Sequence, residues 1–367
     1  MPATHAARRD LLRARLGELD APAALVTRLV NVRYLTGFTG SNAALLVAAD
    51  DADDGEGADV LATDGRYTTQ SAQQAPDLPR LIDRRLVPTL AARAARAGLR
   101  RLAYESHQVT VDGLRMLTEA APELELVSLR SAIEELRSVK DEGEIDLLRQ
   151  ACAIADRALA ELIAAGGIRS GRSELQIARD LDSRMLDLGA EAVSFATIVA
   201  SGPHSAIPHH APTGRGIEPG DFVKLDFGAA CAGYHSDMTR TIAFGQPAAW
   251  QREVYGLVAD AQRIGREALV VGVECAAVDA AVRDRITADG HGEHYIHGLG
   301  HGVGLEIHEA PLLAKGATDR LRDRMPVTVE PGVYLEGRGG VRIEDTLVVR
   351  ATGPELLTMT TKDLCIL

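Results

Sequence analysis

Between positions 8 and 130 apolar residues fall in short runs, at 23–26, 43–47, 60–62 and 102–104, separated by amphipathic stretches, the first of which predicts a helix over 9–19. Short apolar runs between turn-rich segments read as strands, so this region predicts an α/β unit. From position 141 the period changes. Ile145, Leu148, Cys152, Ala155, Leu159 and Leu162 recur at helical spacing behind Asp141-Glu-Gly-Glu144, which can form a capping box, and Gly166-Gly167 ends the run. Further helices are expected from Ser173, with Gln176 three residues on, to Gly189, and then over 248–269 and 276–288. Within 131–140 the first unit has closed and the long helix has not begun, which divides the chain into domains at 1–132 and 133–367.

The second division runs helix, helix, strands, helix, helix, strands, a weak duplication of element order without sequence identity. Each strand portion reads as a β-hairpin. In the first, a turn centred on Cys231 and Ala232 sets Asp226 opposite Asp237. In the second, a turn centred on Gly337 pairs Tyr334 with Gly340 and Gly332 with Arg342, and so sets Glu330 opposite Glu344. Carboxylates facing across a ladder at about 5 Å repel by about 3 kcal/mol at an effective dielectric of about 20. One such pair could simply face solvent. Two pairs in matching positions call for bound cations, and the duplication would bring the hairpins side by side in one sheet.

The chain has 367 residues, 46% of them hydrophobic, enough to fill sizeable cores. A formal charge of −12 with no strongly basic segment argues against a nucleic-acid or anionic-membrane partner. The cysteines, Cys152, Cys231, Cys275 and Cys365, form no CxxC and read as reduced thiols. No run approaches the roughly 18 apolar residues of a membrane span, and the start lacks an apolar core of signal-peptide length. A cytoplasmic protein is expected.

Between the hairpins, Tyr295-Ile-His-Gly-Leu-Gly-His-Gly-Val-Gly-Leu-Glu-Ile-His-Glu309 carries His297, His301 and His308 among glycines that let backbone approach a site closely. It fails the GxGxxG spacing at Val303 and contains no HExxH. A second histidine segment, Ser201-Gly-Pro-His-Ser-Ala-Ile-Pro-His-His210, reads as a rigid loop in which His204 and His210 are surface residues. Tyr34-Leu-Thr-Gly-Phe-Thr-Gly-Ser-Asn42 and Thr63-Asp-Gly-Arg-Tyr67 read as turns at strand ends, and the acidic run at 50–54 as a solvated loop.

Val223-Lys-Leu-Asp-Phe-Gly-Ala229, Ser236-Asp-Met-Thr-Arg-Thr241, Gly300-His-Gly-Val-Gly-Leu-Glu-Ile-His-Glu309, Val329-Glu-Pro-Gly-Val-Tyr334 and Arg342-Ile-Glu-Asp-Thr346 resemble the signature segments of the pita-bread metallopeptidases. The likeness is to their proline-specific branch, the Xaa-Pro aminopeptidases and prolidases, and Gly37-Phe-Thr-Gly-Ser-Asn42 and Thr63-Asp-Gly-Arg-Tyr67 extend it to the N-terminal domain. The resemblance implies an α/β (α+β) protein with a creatinase-like N-terminal domain followed by a pita-bread catalytic domain. It implies two divalent metals on Asp226, Asp237, His301, Glu330 and Glu344, with Asp237 and Glu344 as bridges. Oxygen-rich ligation with one imidazole suits manganese first, with cobalt or zinc as alternatives. By the same resemblance Glu330 is the general base, His209 and His308 face the substrate and stabilise the developing oxyanion, His297 lines the pocket, and Arg342 contacts substrate or steadies Glu344. The substrate would be a proline-containing di- or oligopeptide and the protein a homodimer. One departure is informative: Leu312 follows His308-Glu-Ala-Pro311 where many prolidases have an arginine that holds the dipeptide carboxylate, which favours an aminopeptidase acting on longer peptides. The loop at 321–326 is also more charged than the family's usual glycine-containing approach. Two alternatives share the fold, a creatinase-like hydrolase that works without metal and a non-enzymatic binding protein, and both would be expected to lose ligands that are retained here.

Overall fold

The computed structural model describes residues 2–49 and 58–367, and the acidic run at 50–54 lies outside them. The chain divides into two compact units, Met1–Arg137 and Ser138–Leu367.

In the first unit, strands β1 (Ala23–Val26), β2 (Ala43–Ala48), β3 (Val60–Thr63), β4 (Arg80–Ile82), β5 (Arg101–Tyr104) and β6 (Glu125–Ser128) form one mixed sheet in the order β4-β3-β2-β1-β5-β6. The helices are α1 (Pro2–Glu18), α2 (Leu29–Thr36), α3 (Thr68–Gln74), α4 (Leu86–Arg96), α5 (Val111–Ala120) and, at the boundary, α6 (Ala132–Ser138). β1 and β2 are buried along their whole length, as unbroken apolar runs are when both faces are covered. Two elements differ from expectation. α1 begins at Pro2 rather than at position 9, and Tyr34-Leu-Thr belongs to α2 rather than to a turn, because Val32, Tyr34 and Leu35 all find buried positions before Gly37, at φ 77°, ends the helix.

The second unit begins with α7 (Glu142–Ala164), whose capping box is complete: Asp141 and Glu144 exchange side-chain to backbone bonds of 2.9 Å. Its predicted apolar face is buried, and full burial of Ile145, Leu148 and Leu162 contributes about 1.5–3 kcal/mol each. α8 (Glu174–Asp187) is capped by Ser173 and Gln176 in the same way. Strands β7 (Ala192–Val193), β8 (Ile198–Ser201), β9 (Phe222–Phe227), β10 (Ala229–Cys231), β11 (Tyr234–His235) and β12 (Met238–Ala243) follow, then α9 (Ala249–Glu267) and α10 (Cys275–Ala288). The chain closes with β13 (Gly300–Gly302), β14 (Glu309–Leu313), β15 (Pro326–Val329), β16 (Gly332–Leu335), β17 (Gly339–Arg342), β18 (Asp345–Val348) and β19 (Glu355–Leu356). No helix among the described residues is long and apolar enough to cross a membrane.

The duplicated element order is a duplicated packing. Leu159, Leu162, Ile177 and Leu181 of α7 and α8 share a core with Val223, Leu225 and Phe227 of β9. Val258, Ala261, Val278 and Val282 of α9 and α10 share another with Val327, Val329 and Leu347. Strand alternation then dictates the rest: on β9 the odd-numbered residues face the helices, so Lys224 and Asp226 face the other way.

The two hairpins do not share one sheet. β9 and β12 belong to a sheet ordered β12-β9-β8, whereas β15 and β18 belong to β14-β13-β15-β18-β19 and β16 pairs with β17 alone. Threonine hydroxyls join them where a regular ladder would. Thr241 Oγ1 donates to Arg342 O at 2.9 Å and accepts from Arg342 N at 3.2 Å, and Thr346 Oγ1 donates to Asp237 O at 2.8 Å.

Candidate functional site

The aspartate hairpin turns one residue later than its sequence suggests. Cys231 pairs with Tyr234, so the two-residue turn is Ala232-Gly233, at φ 48° and 79°. A turn of this kind needs positive φ at both positions, and centring it on Cys231-Ala232 would force two Cβ-bearing residues there, about 1–2 kcal/mol worse. The shift moves the ladder. Thr239, not Asp237, stands opposite Asp226, and the aspartates are diagonal neighbours on one face. The glutamate hairpin has its expected register, Gly332 with Arg342 and Tyr334 with Gly340. That register continues through Val329 with Asp345, which brackets Glu330 and Glu344 between the two ladders.

His301 lies on β13 at a bulge. Its Nδ1 is 3.0 Å from Gly302 O, which fixes that nitrogen as the donor and aims Nε2 at the acids, 3.5 Å from Asp237 Oδ2 and 3.4 Å from Glu330 Oε1. Burial lowers the His301 pKa to about 4, so the ring is neutral, the form that can ligate a metal. Asp237, His301 and Glu344 bring ligand atoms within 4.8 Å of one another.

The carboxylates are poorly served by the protein's own donors. Thr239 Oγ1 donates to Glu344 at 2.7 Å, Thr328 Oγ1 to Glu330 at 3.3 Å, and Arg342 Nη2 to Asp226 Oδ2. Asp226 Oδ1 is buried and receives no hydrogen bond. Burial first, and then mutual repulsion, raises Asp237 and Glu344 well above the usual carboxylate range, and burial raises Glu330 to about 8. An orphaned carboxylate oxygen, acids that repel one another and a neutral imidazole are together the donor set that divalent cations fit.

A cavity of about 390 Å³ opens onto these groups and is lined by Asp226, Asp237, His301, Glu330 and Glu344. Phe195, Ile198, Pro212 and Ile307 form apolar walls, and His209, His210 and His308 also line it. The His308 ring meets His301 edge to face, with centroids 4.4 Å apart, and burial lowers its pKa. His209 is exposed to the cavity. Its ring makes no hydrogen bond among the described residues.

Two residues expected against the substrate lie behind the cavity instead. His297 Nδ1 meets Gly298 O at 2.8 Å and its Nε2 meets Tyr334 OH at 2.9 Å. Arg342 is 2% exposed and donates to Asp226, to Tyr334 OH at 2.9 Å, to Thr239 Oγ1 at 2.9 Å and to Pro208 O at 3.2 Å. Arg342 reaches Glu344 by hydrogen bonds through Thr239, and its charge also favours the ionised form of Glu344 directly, the steadying role expected as the alternative. His210, read from the sequence as a surface residue, is buried against Glu174, and the half-buried His204 bonds the same carboxylate. The signal for this partner was faint: a glutamate opening α8, fully buried. Gly304 has a similar reason. A Cβ there would lie 2.7 Å from Glu309 Oε2 and 2.8 Å from Lys140 Cε, the two halves of a buried ion pair that closes at 2.8 Å.

Known proteins resemble this chain over nearly its whole length. Residues 146–351 match the model of Metallopeptidase family M24, and residues 8–139 match the Creatinase/Prolidase N-terminal domain. The chain is 38% identical to the uncharacterized peptidase YqhT of Bacillus subtilis over 98% of its own length and 99% of the relative's. Among solved structures, an Xaa-Pro dipeptidase from Bacillus anthracis superposes with a TM-score of 0.93 at 37% identity, covering 99% of this chain and 100% of that one. An X-Pro aminopeptidase from Thermotoga maritima superposes with a TM-score of 0.89 at 33% identity, covering 98% of this chain and 99% of that one.

Proposed function

The chain belongs to Metallopeptidase family M24, and from that membership we propose that it hydrolyses the bond between an N-terminal residue and proline, using two divalent metals held by Asp226, Asp237, His301, Glu330 and Glu344. The observation that carries the proposal is the donor-starved acid cluster lining the cavity, with the buried, unbonded Asp226 Oδ1 among its oxygens. Manganese is the first choice, with cobalt and zinc as alternatives, because carboxylates dominate the set. When bound, such ions would polarise the scissile carbonyl and lower the pKa of the attacking water.

The side chains divide the remaining work. Glu330 accepts the proton of the attacking water at its carboxylate and later returns it to the leaving nitrogen. His209 and His308 stand on the rim of the same cavity as N–H donors for the developing oxyanion, and the lowered pKa of His308 keeps it a neutral donor. The Xaa-Pro bond is a tertiary amide without an N–H, so a protease that reads an extended strand loses a hydrogen bond there. Recognition falls to shape, and Phe195, Ile198, Pro212 and Ile307 offer the apolar wall that a pyrrolidine ring needs.

Substrate length follows from charge. Leu312 is 57% exposed, Arg342 is fully engaged behind the cavity, and no lysine or arginine lines it among the described residues. The proposal is therefore an aminopeptidase acting on Xaa-Pro-Yaa rather than a dipeptidase. A homodimer in the cytoplasm completes it, on the family resemblance. The deciding experiment is to strip the protein with a chelator and restore manganese, cobalt or zinc one at a time. Full turnover in metal-analysed, stripped protein would sink the two-metal reading.

A further inference from the structure

The proposed substrate-facing histidine, His209, sits in the loop between β8 and β9, and that loop is gripped by two fully buried side chains, an acid and an amine. On one side is Glu174, the first residue of α8. Its Oε1 accepts from Ser201 N and Ser201 Oγ, both at 2.8 Å, and from His204 Nδ1 at 3.0 Å. Its Oε2 accepts from His210 Nε2 and Thr213 N, both at 2.9 Å, and from Thr213 Oγ1 at 2.7 Å. On the other side is Lys224 of β9, whose Nζ donates to Ser205 O at 3.2 Å, Ile207 O at 2.6 Å and Pro208 O at 3.2 Å. Three carbonyls converge on Nζ and favour the ammonium, the one form with three N–H donors, against burial and the Arg342 charge, which lower its pKa to about 6.

These contacts converge on one residue. Pro208, immediately before His209, has its carbonyl held by Lys224 and also by Arg342, whose guanidinium extends to Asp226. His210, immediately after, has its ring held by Glu174. The backbone of His209 is thus fixed through both neighbours, while its own imidazole is left unbonded at the cavity. Glu174, His204 and His210 stand close enough to share an ion, but both carboxylate oxygens already carry three donors each. Their present role is to hold the chain.

We propose that Lys224 and Glu174 are positioning residues that aim His209 at the reacting carbonyl, Lys224 through the Pro208 carbonyl and Glu174 through the His210 ring. The inference rests on the substrate-facing role assigned to His209 above. A displacement of about 1 Å at a group that acts in the transition state can cost about a hundredfold in rate, so the clamp should appear in kcat far more than in metal binding.

The test is a double-mutant cycle on the full-length, manganese-loaded protein with Ala-Pro-Ala as substrate. Lys224→Met is expected to keep its metal content and to lower kcat by about 10- to 100-fold. In a His209→Ala background the same substitution should cost less than about twofold, because the group it aims is gone. In the metal-free protein, the His209 ring signal in a proton–nitrogen correlation spectrum, identified by its loss in His209→Ala, should broaden or split in Lys224→Met. Losses that multiply in the double variant, or metal lost from Lys224→Met, would reduce Lys224 to a structural role and overturn the proposal. Should Lys224→Met fail to fold, Glu174→Gln approaches His209 from the other side and is held to the same cycle. The two layers separate cleanly: an unimpaired His209→Ala removes the role of His209 itself, whereas an impaired His209→Ala beside an unimpaired Lys224→Met removes only the clamp.

Discussion

Two acid and histidine clusters stand in the second unit, built from the same residue types and opposite in electrostatics. Asp237, His301 and Glu344, with Asp226 and Glu330 beside them, share three hydrogen bonds among four carboxylates, from Thr239, Thr328 and Arg342. Glu174, beside His204 and His210, collects six for one carboxylate. The consequences diverge accordingly. Burial and repulsion push Asp237 and Glu344 up, whereas for Glu174 the desolvation cost is outweighed by bonds from His210, Thr213 and Ser201 that bring it to about 2. Residue type therefore does not distinguish an ion site from a structural knot. The supply of donors does, and it is why the first cluster is read as a metal centre and the second as a clamp.

The largest effects should come from removing acids of the starved cluster. Asp237→Ala and Glu344→Ala are each expected to lose metal and to lower kcat/KM by more than about a thousandfold. Elemental analysis of the purified variants checks the cause, and full metal content in both would break the distinction between the clusters. His209→Ala comes next, with metal retained and kcat lowered by about 10²- to 10³-fold, the usual cost of one oxyanion donor. Single-turnover kinetics beside metal analysis would separate the two classes of variant, and an unchanged kcat would show that the histidine is not at the reacting carbonyl.

The chain disclosed the starved cluster far better than the satisfied one. Asp226, Asp237, Glu330 and Glu344 could be found because charge inside β-prone runs conflicts with local expectation, and the glutamate register followed from a glycine-rich turn. The aspartate turn lies one residue and its cross-strand pairing two residues from expectation because small residues fill the whole turn, and only the need for a glycine at positive φ decides between centres. The clamp was beyond reach for a different reason. Glu174 and its partners at 201–213 are joined by tertiary contacts that leave no period in the sequence, and a histidine such as His210 looks the same in a loop whether it is buried or exposed. The helices at 142–164 and 174–187 were legible because caps and apolar spacing are local, and α2 was not, because eight residues carry too little period.

Acid and alkaline titrations should also set the clusters apart, with opposite signs. The folded pKa of Glu174 lies at about 2, below its ordinary value near 4.5, so its contribution to stability is complete above about pH 4.5 and is lost as pH falls toward 2. In chelated protein Glu330 lies at about 8, above its ordinary value, so folding favours its protonated form and stability declines as pH rises from about 4.5 to 8. Denaturant midpoints across pH 3 to 8 would read both slopes. Glu174→Gln should flatten the acid limb, and metal should remove the alkaline decline from wild type. An alkaline decline that persists with metal bound would mean that the ions do not sit on these carboxylates.

The smallest effect concerns the charge that the substrate itself brings. Neither cluster supplies a cation to the cavity: Arg342 is committed to Asp226, Pro208, Tyr334 and Thr239, and Lys224 to three loop carbonyls. The dipeptide Ala-Pro would carry its own carboxylate into a partly desolvated pocket with no partner, at a cost of about 1–3 kcal/mol, or about 5- to 150-fold in rate. Ala-Pro-Ala moves that carboxylate one residue outward, toward solvent. The tripeptide should therefore be cleaved with the higher kcat/KM, and Leu312→Arg should narrow the gap by restoring a cation to a position that is now 57% exposed. A clear preference of the wild type for Ala-Pro would mean that a cation outside this cavity reaches the dipeptide, and the enzyme would then be a dipeptidase despite its leucine.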